Sequence, residues 1–328
     1  MEKFLKYLAT GIVISVSALT TFPAFAEWPE KPITIIFPWA AGDPTETVLR
    51  TAGELVAKKL GQPIVISNVT GAGGTKALAT AISADTDGYT LVSNWVAAQV
   101  SAKLFNPNLP YSNDNFVPIA GVFAIPFTLT VAADHPANDI AEFMKMAKSE
   151  GRKINFGVCA PQSVPRLVGE QFMSNADVPY NAIPFSGGCG GDNITGLLNG
   201  SLDASVAVVP LINAFKGQIK HLGLLTDERH PAAKDLPSAA EQGYPLGWGN
   251  NAFGWGGVAA LSGTPDNVVK KLQVTFGEVL KSDEFKKQLD KKLISMVKYV
   301  SPEASKELWA DSEKLLAPHV EKVLKAGK

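Results

Sequence analysis

The chain is poor in the residues that most catalytic and metal centres use. It has two cysteines and four histidines among 328 residues. No Cys-x-x-Cys or His-x-x-x-His spacing occurs, which argues against a metal site. No Gly-Lys-Ser/Thr run occurs, which excludes a phosphate-binding P-loop. Neither charge sign dominates. Thirty basic and 31 acidic residues leave a formal net charge of −1, and no basic stripe stands out. Nucleic acid and acidic membrane surfaces are therefore poor partners. Beyond the first 26 residues, no stretch is apolar enough to span a bilayer. No cofactor is indicated.

The N-terminus reads as a targeting segment. Lys3 and Lys6 form a basic region, Gly11 to Leu19 an apolar one, and Ala24-Phe25-Ala26 fits a small-residue cleavage site. Residues 1–26 are read as a signal peptide cut after Ala26. No cysteine follows the cut, so no lipid anchor is indicated. The remainder predicts an exported, periplasmic protein. Loss of Glu2, Lys3 and Lys6 moves the net charge from −1 to −2.

Two strand-like runs lead straight into glycine turns. Ile33 to Phe37 precedes Pro38-Trp39-Ala40-Ala41-Gly42, and Ile64 to Asn68 precedes Gly71-Ala72-Gly73-Gly74. A helical pattern follows each. Such turns leave backbone N–H groups aimed at one point, which suits a small anion such as a carboxylate. The second turn lacks the last glycine of a dinucleotide fingerprint, because Lys76 stands there. A plain tight turn is the alternative reading. Further strands are predicted at Tyr89–Ser93, Phe127–Ala132, Asn155–Val158, Ala182–Phe185, Ala204–Val209, His221–Leu225 and Phe253–Leu261. Helices are expected between many of them, so parallel sheets covered by helices are predicted. Thr264 and Ser301 are expected to cap helices begun by Pro265 and Pro302. Phe127–Ala132 and Phe253–Leu261 are candidates for two crossings between domains. Residues 27–127 plus 253–328 would form one domain and 128–252 the other.

Several side chains carry two readings. Thr45, Thr75 and Ser163 could bond a carboxylate or cap their own helices. Trp39 and Trp95 could wall a ring or alkyl chain, or simply be buried. Arg166, in a first helical turn, could grip a second ligand carboxylate or form a surface ion pair. Gly187-Gly188-Cys189-Gly190-Gly191 matches a cysteine form of the nucleophile elbow. That raises an alternative, a secreted ester or lactone hydrolase using Cys189. It needs a histidine in register, and His135, His221, His230 and His319 are scattered. A disulfide between Cys159 and Cys189 is left open.

Trp28-Pro29-Glu30-Lys31-Pro32-Ile33, Leu60-Gly61-Gln62-Pro63, Asp87-Gly88-Tyr89-Thr90-Leu91, Gly200-Ser201-Leu202-Asp203 and Leu236 to Gly243 carry a resemblance. Together with the two turns, their order over the whole mature chain resembles the Bug-type periplasmic solute-binding proteins of tripartite tricarboxylate transporters. The resemblance implies an α/β, two-domain, type II Venus-flytrap architecture with a ligand cleft between domains. It also implies a small carboxylate ligand, membrane permease partners, and no enzymatic role. A monomer is expected. By position it implies ligand contacts from Trp39, Ala41, Gly42, Thr45 and Glu46, and from Gly73, Gly74 and Thr75. Ser93, Asn94 and Trp95 complete that side. Cys159, Ser163 and Arg166 would face them, with Phe185, Ser186 and Gly187. The chain departs from the family pattern at Asp43, at Glu46, at Ala207 in place of an aspartate, and in a longer loop around Cys189. The lost aspartate favours a dicarboxylate or aromatic carboxylate over an amino acid.

Overall fold

The computed structural model describes residues 28–159, 163–185, 191–209, 211, 215–230, 233–249, 253–294 and 296–326. Strand β1 (Ile33–Phe37) leads into helix α1 (Pro44–Leu60). Asp43 caps that helix by accepting from the Thr45 amide at 2.8 Å, and Pro44 occupies the first turn. Gly61, at φ 74°, ends it in the left-handed conformation that glycine adopts readily. The strand–helix–strand order recurs in β2 (Ile64–Asn68), α2 (Thr75–Ala81) and β3 (Thr90–Trp95), with α2 starting from Gly74 without a side-chain cap. β1 lies between β2 and β3, parallel to both, with Phe37 opposite Asn68 and Ile36 opposite Val92.

β4 (Phe116–Ala132) joins the two halves of the molecule. Its first part pairs with β9 (Phe253–Leu261), ending at Pro126 opposite Phe253. From Phe127 onward it pairs with β7 (Ala204–Val208) and, from Thr128, with β8 (Ile219–Leu224). The predicted strand at Phe127–Ala132 is thus only its second half. Prolines Pro118 and Pro126 hid the first half. Pro118 adjoins a register shift and Pro126 sits where partners change, positions where a missing N–H is tolerated.

In the second half, α3 (Ile140–Ser149) is capped by Asp139, which accepts from Glu142 N at 2.7 Å. β5 (Ile154–Val158) then lies parallel to both β6 (Tyr180–Pro184) and β7. Helices α4 (Val164–Asn175) and α5 (Gly191–Leu198) follow β5 and β6. Strand directions decide where the loops go. β3 and β4 are both antiparallel to β9, so β1, β2 and β3 run with β4, toward the second half. β5, β6 and β7 run against β4, back toward the first. The carboxyl ends of both parallel sets therefore face the same crossing, as in the two-domain fold expected from the sequence.

One core packs β1 and α1 against α6 (Asp266–Lys281), with Phe37, Leu49 and Phe276 fully buried. A second runs from Val92 and Ala259 through Leu129 to Phe156 and Phe172. Thr264 does not cap α6. The helix starts one residue later than expected, at Asp266, with Pro265 in the capping position and no side-chain cap. Ser301 does cap α7 (Pro302–Ala326), accepting from Ala304 N at 3.2 Å. α7 lies over the crossing, stacking Trp309 on Trp255 with ring centroids 6.3 Å apart. The short strand β10 (Val297–Val300) precedes it and pairs with β4.

The stretch after β8 is held by one carboxylate. Asp227 accepts from the amides of Leu246, Gly247, Trp248 and Gly249 at 2.7 to 3.0 Å. Burial raises its pKa, but those four bonds outweigh burial and hold the carboxyl below its ordinary value of 3.8. Its stabilisation is therefore present above pH 3.8 and fades as pH falls through the lower folded-state value. We expect Asp227→Asn to cost about 2 kcal/mol or more in urea unfolding at neutral pH, given the strength of bonds to a charged acceptor. A variant as stable as the parent contradicts this role.

Candidate functional site

The two glycine turns meet at one edge of the first sheet. The chain leaves β1 and β2 side by side, and the Val69 amide still bonds Phe37 O at 2.8 Å. Asn68 Nδ2 then reaches Trp39 O at 2.9 Å. Gly74, at φ 92°, is where the turns touch. A Cβ there would stand 3.2 Å from Pro38 Cβ and 3.1 Å from Ala98 Cβ. Only glycine meets both demands without strain.

Much of the expected hydrogen-bonding capacity is already used within the protein. Glu46, 2 % exposed, accepts from the Gly42 amide at 2.7 Å through Oε2 and from Arg50 Nε at 3.0 Å through Oε1. Burial raises its pKa, but Arg50 and the Gly42 amide outweigh that and hold it low. Thr45 bonds Asp43, and Thr75 Oγ1 donates to Ala72 O at 2.9 Å. Asp43, a negative charge beside a proposed anion site, is thereby spent on capping α1. Ser93, Asn94 and Trp95 are buried because β3 is flanked by β1 and β9 and covered on both faces. Ser93 Oγ accepts from Trp95 Nε1 at 3.1 Å.

What remains is mainly backbone. Ala41 and Gly73 lie exposed at the turn tips, and among the described residues their amides have no hydrogen-bond acceptor. Trp39, half-buried, stands edge-on to Trp95 with centroids 6.2 Å apart and offers the apolar wall.

From the opposite side, Ser163 accepts from Arg166 N at 3.4 Å, a weak helix cap. Arg166 Nε donates to Glu170 Oε1 at 2.7 Å, the ion-pair reading of that residue. Phe185 packs against the small apolar cluster of Ile194, Leu197, Leu202 and Ile219. Ser186, Gly187 and Cys189 lie outside the described residues. Cys159 is buried and disulfide-bonded, and Cys189 is the only other cysteine in the chain. Ala207 is fully buried in β7, opposite Thr128. Asn193, fully buried at the start of α5, bonds Ser205 Oγ at 2.9 Å and was missed by sequence reasoning. Only its closeness to the helix start could have flagged it.

His221 and His230 are poorly suited to base catalysis. Burial pushes His221 and His230 down to about 4, below the range useful to a base at neutral pH. His230 is 3 % exposed, with its ring 5.4 Å from Phe253. Among the described residues no group of histidine, cysteine and acidic side chains suits a metal. A cavity of about 540 Å³ opens elsewhere, over Trp248, Phe253 and Trp255 beside β10 and α7. Among the described residues, none of its lining belongs to the turns after β1, β2, β5 or β6.

With this geometry in place, comparison with known proteins decides the family. The model of the tripartite tricarboxylate transporter family receptor matches residues 48–322. The chain belongs to that family. It is 26 % identical to Protein BugT of Bordetella pertussis over 276 residues, 83 % of each chain. Among solved structures, it resembles MatC from Rhodopseudomonas palustris with bound malate at 27 % identity and TM-score 0.70, covering 89 % of this chain and 99 % of that one. It also resembles Rpa4515 of R. palustris with adipate, at 25 % identity and TM-score 0.74, covering 91 % and 97 %. The Bug-type resemblance is confirmed. Members are solute-binding receptors and not enzymes, so the hydrolase alternative falls.

Glu46 holds the first turn, so its removal tests the site's frame. Glu46→Ala should lower stability by about 1.5–3 kcal/mol, the worth of hydrogen bonds to a charged acceptor, and Glu46→Gln by less. Equal urea midpoints for the parent and Glu46→Ala would refute the bracing role.

Proposed function

We infer that this chain is a periplasmic receptor that captures a small carboxylic acid and hands it to the permease of a tripartite tricarboxylate transporter. The observation that carries this reading is the contact of two exposed turns whose Ala41 and Gly73 amides lack acceptors among the described residues. Charge-assisted bonds from such amides suit a carboxylate, and they strengthen when closing domains exclude water. Relatives of similar fold hold malate and adipate, both dicarboxylic acids.

A dicarboxylate or an aromatic carboxylate is favoured over an amino acid. Ala207 in β7 gives an ammonium group no partner. Trp39 provides a flat wall for an alkyl chain or a ring. The first carboxylate sits at the Ala41 and Gly73 turns. The second half contributes Ser163 and Arg166, together with Ser186 and Gly187 from the segment that follows β6. The domain boundary falls near residues 127 and 253, supported by the change of β4 partner between Pro126 and Phe127. The receptor acts as a monomer, and its leader is removed after Ala26. Among the described residues, no helix is long and apolar enough to cross a membrane.

Thermal-shift screening with malate, adipate, aspartate, citrate and benzoate tests the reading. A true ligand at a hundred times its Kd adds about 2.7 kcal/mol of stability. At least one dicarboxylate or aromatic acid should raise the Tm in a saturable way, and Trp39→Ala should weaken that response without unfolding the protein. No shift with any carboxylate overturns the proposal, and a shift with aspartate alone overturns the ligand preference.

A further inference from the structure

Between β3, β4, β9 and α7 lies a cavity of about 10 Å³, room for a single water. Asn94, Gly121, Gly257 and Ser305 help to line it. Asn94 is 1 % exposed and Ser305 3 % exposed. Asn94 Oδ1 and Ser305 Oγ are both buried and both lack a hydrogen-bond partner. Two unmet polar atoms beside one small space carry a free-energy cost unless something bridges them.

A chain of side chains fixes which Asn94 atom is left over. The Glu313 carboxylate accepts from Asn113 Nδ2 at 2.9 Å. Asn113 therefore turns Oδ1 to Gln99, which donates through Nε2 at 3.0 Å. Gln99 in turn presents Oε1 to Asn94 Nδ2 at 2.6 Å. Each amide passes on the sense set at Glu313. Asn94 must then leave its oxygen, and not its nitrogen, without a donor.

The neighbouring glycines keep this space small and open. A Cβ on Gly121 would stand 3.1 Å from Ser305 Oγ and 2.6 Å from Val300 Cβ. A Cβ on Gly257 would stand 2.4 Å from Ala120 O. Either addition would fill the space or push β4 and β9 apart.

We propose that this cavity binds one ordered water, which donates a hydrogen to Asn94 Oδ1 and bonds Ser305 Oγ. The water ties the end of β3, next to the ligand turns, to the inner face of α7. It completes a polar path from Asn94 to Glu313 whose two ends both rest on that helix. This site is independent of the carboxylate reading, because it lies in the interior and needs no bound solute.

Crystal structures of the mature protein and of Ser305→Ala, each without added carboxylate, test it. The parent should show a density peak within about 2.7–3.2 Å of both atoms, the ordinary hydrogen-bond range. Ser305→Ala should lose the peak, or show it displaced away from the substituted side chain, and should unfold at a lower temperature. A dry cavity in the parent, with Asn94 Oδ1 bonded directly to Ser305 Oγ, overturns the proposal. So does an equally ordered, unmoved peak in Ser305→Ala. Because no carboxylate is present, these outcomes are separate from success or failure of the ligand screen.

Discussion

The antiparallel crossing of β4 and β9 is the constraint on which the rest of this structure depends. Hydrogen-bond ladders fix strand direction. β1, β2 and β3 run along β4 toward the second half, and β5, β6 and β7 run against it toward the first. Ligands of open α/β sheets bind beyond the carboxyl ends of strands. Two such sheets arranged head to head bring the loops at their carboxyl ends to one place without any loop having to travel. Pro126 marks the exchange, where β4 gives up β9 and takes β7.

Carboxylates of the chain itself do much of the holding. Glu46 occupies the Gly42 amide, Asp43 caps α1, and Asp227 gathers four consecutive amides. The Asp227 arrangement shows within one molecule how backbone N–H groups hold a carboxylate. The turn after β1 uses the same chemistry, with the Gly42 amide held by Glu46. Glu46 makes the first turn rigid from below, and the exposed tips remain available from above. On the proposed reading, a guest anion meets donors whose positions are already set, so little ordering is left to oppose binding.

Much of the architecture was legible in the residues. The β-rich runs before Gly42 and Gly71, the Pro-started helices and Phe253–Leu261 all correspond to observed elements. Local signals sufficed there because apolar runs, caps and glycines act within a few residues. The first half of β4 was not legible, because its two prolines argue against a strand, and only tertiary pairing overrides them. β10, four residues long, has no pattern of its own. In the site, residue types were legible but their allegiances were not. Thr45, Thr75 and Glu46 look like ligand donors or acceptors in sequence, yet each bonds its own turn. Whether a hydroxyl or carboxylate turns inward depends on partners such as Arg50 and Asp43, whose geometry no spacing rule supplies. Burial of Ser93 and Asn94 likewise follows from β9 arriving beside β3 from far along the chain.

The central claim is that exposed backbone amides, and not side chains, grip the ligand carboxylate. Amide NMR spectra of labelled protein, titrated with malate or with whichever carboxylate stabilises it, test this most directly. The account predicts that the Ala41 and Gly73 amide protons move downfield together and saturate with the Kd found by thermal shift. Saturable binding that leaves both resonances in place would contradict it.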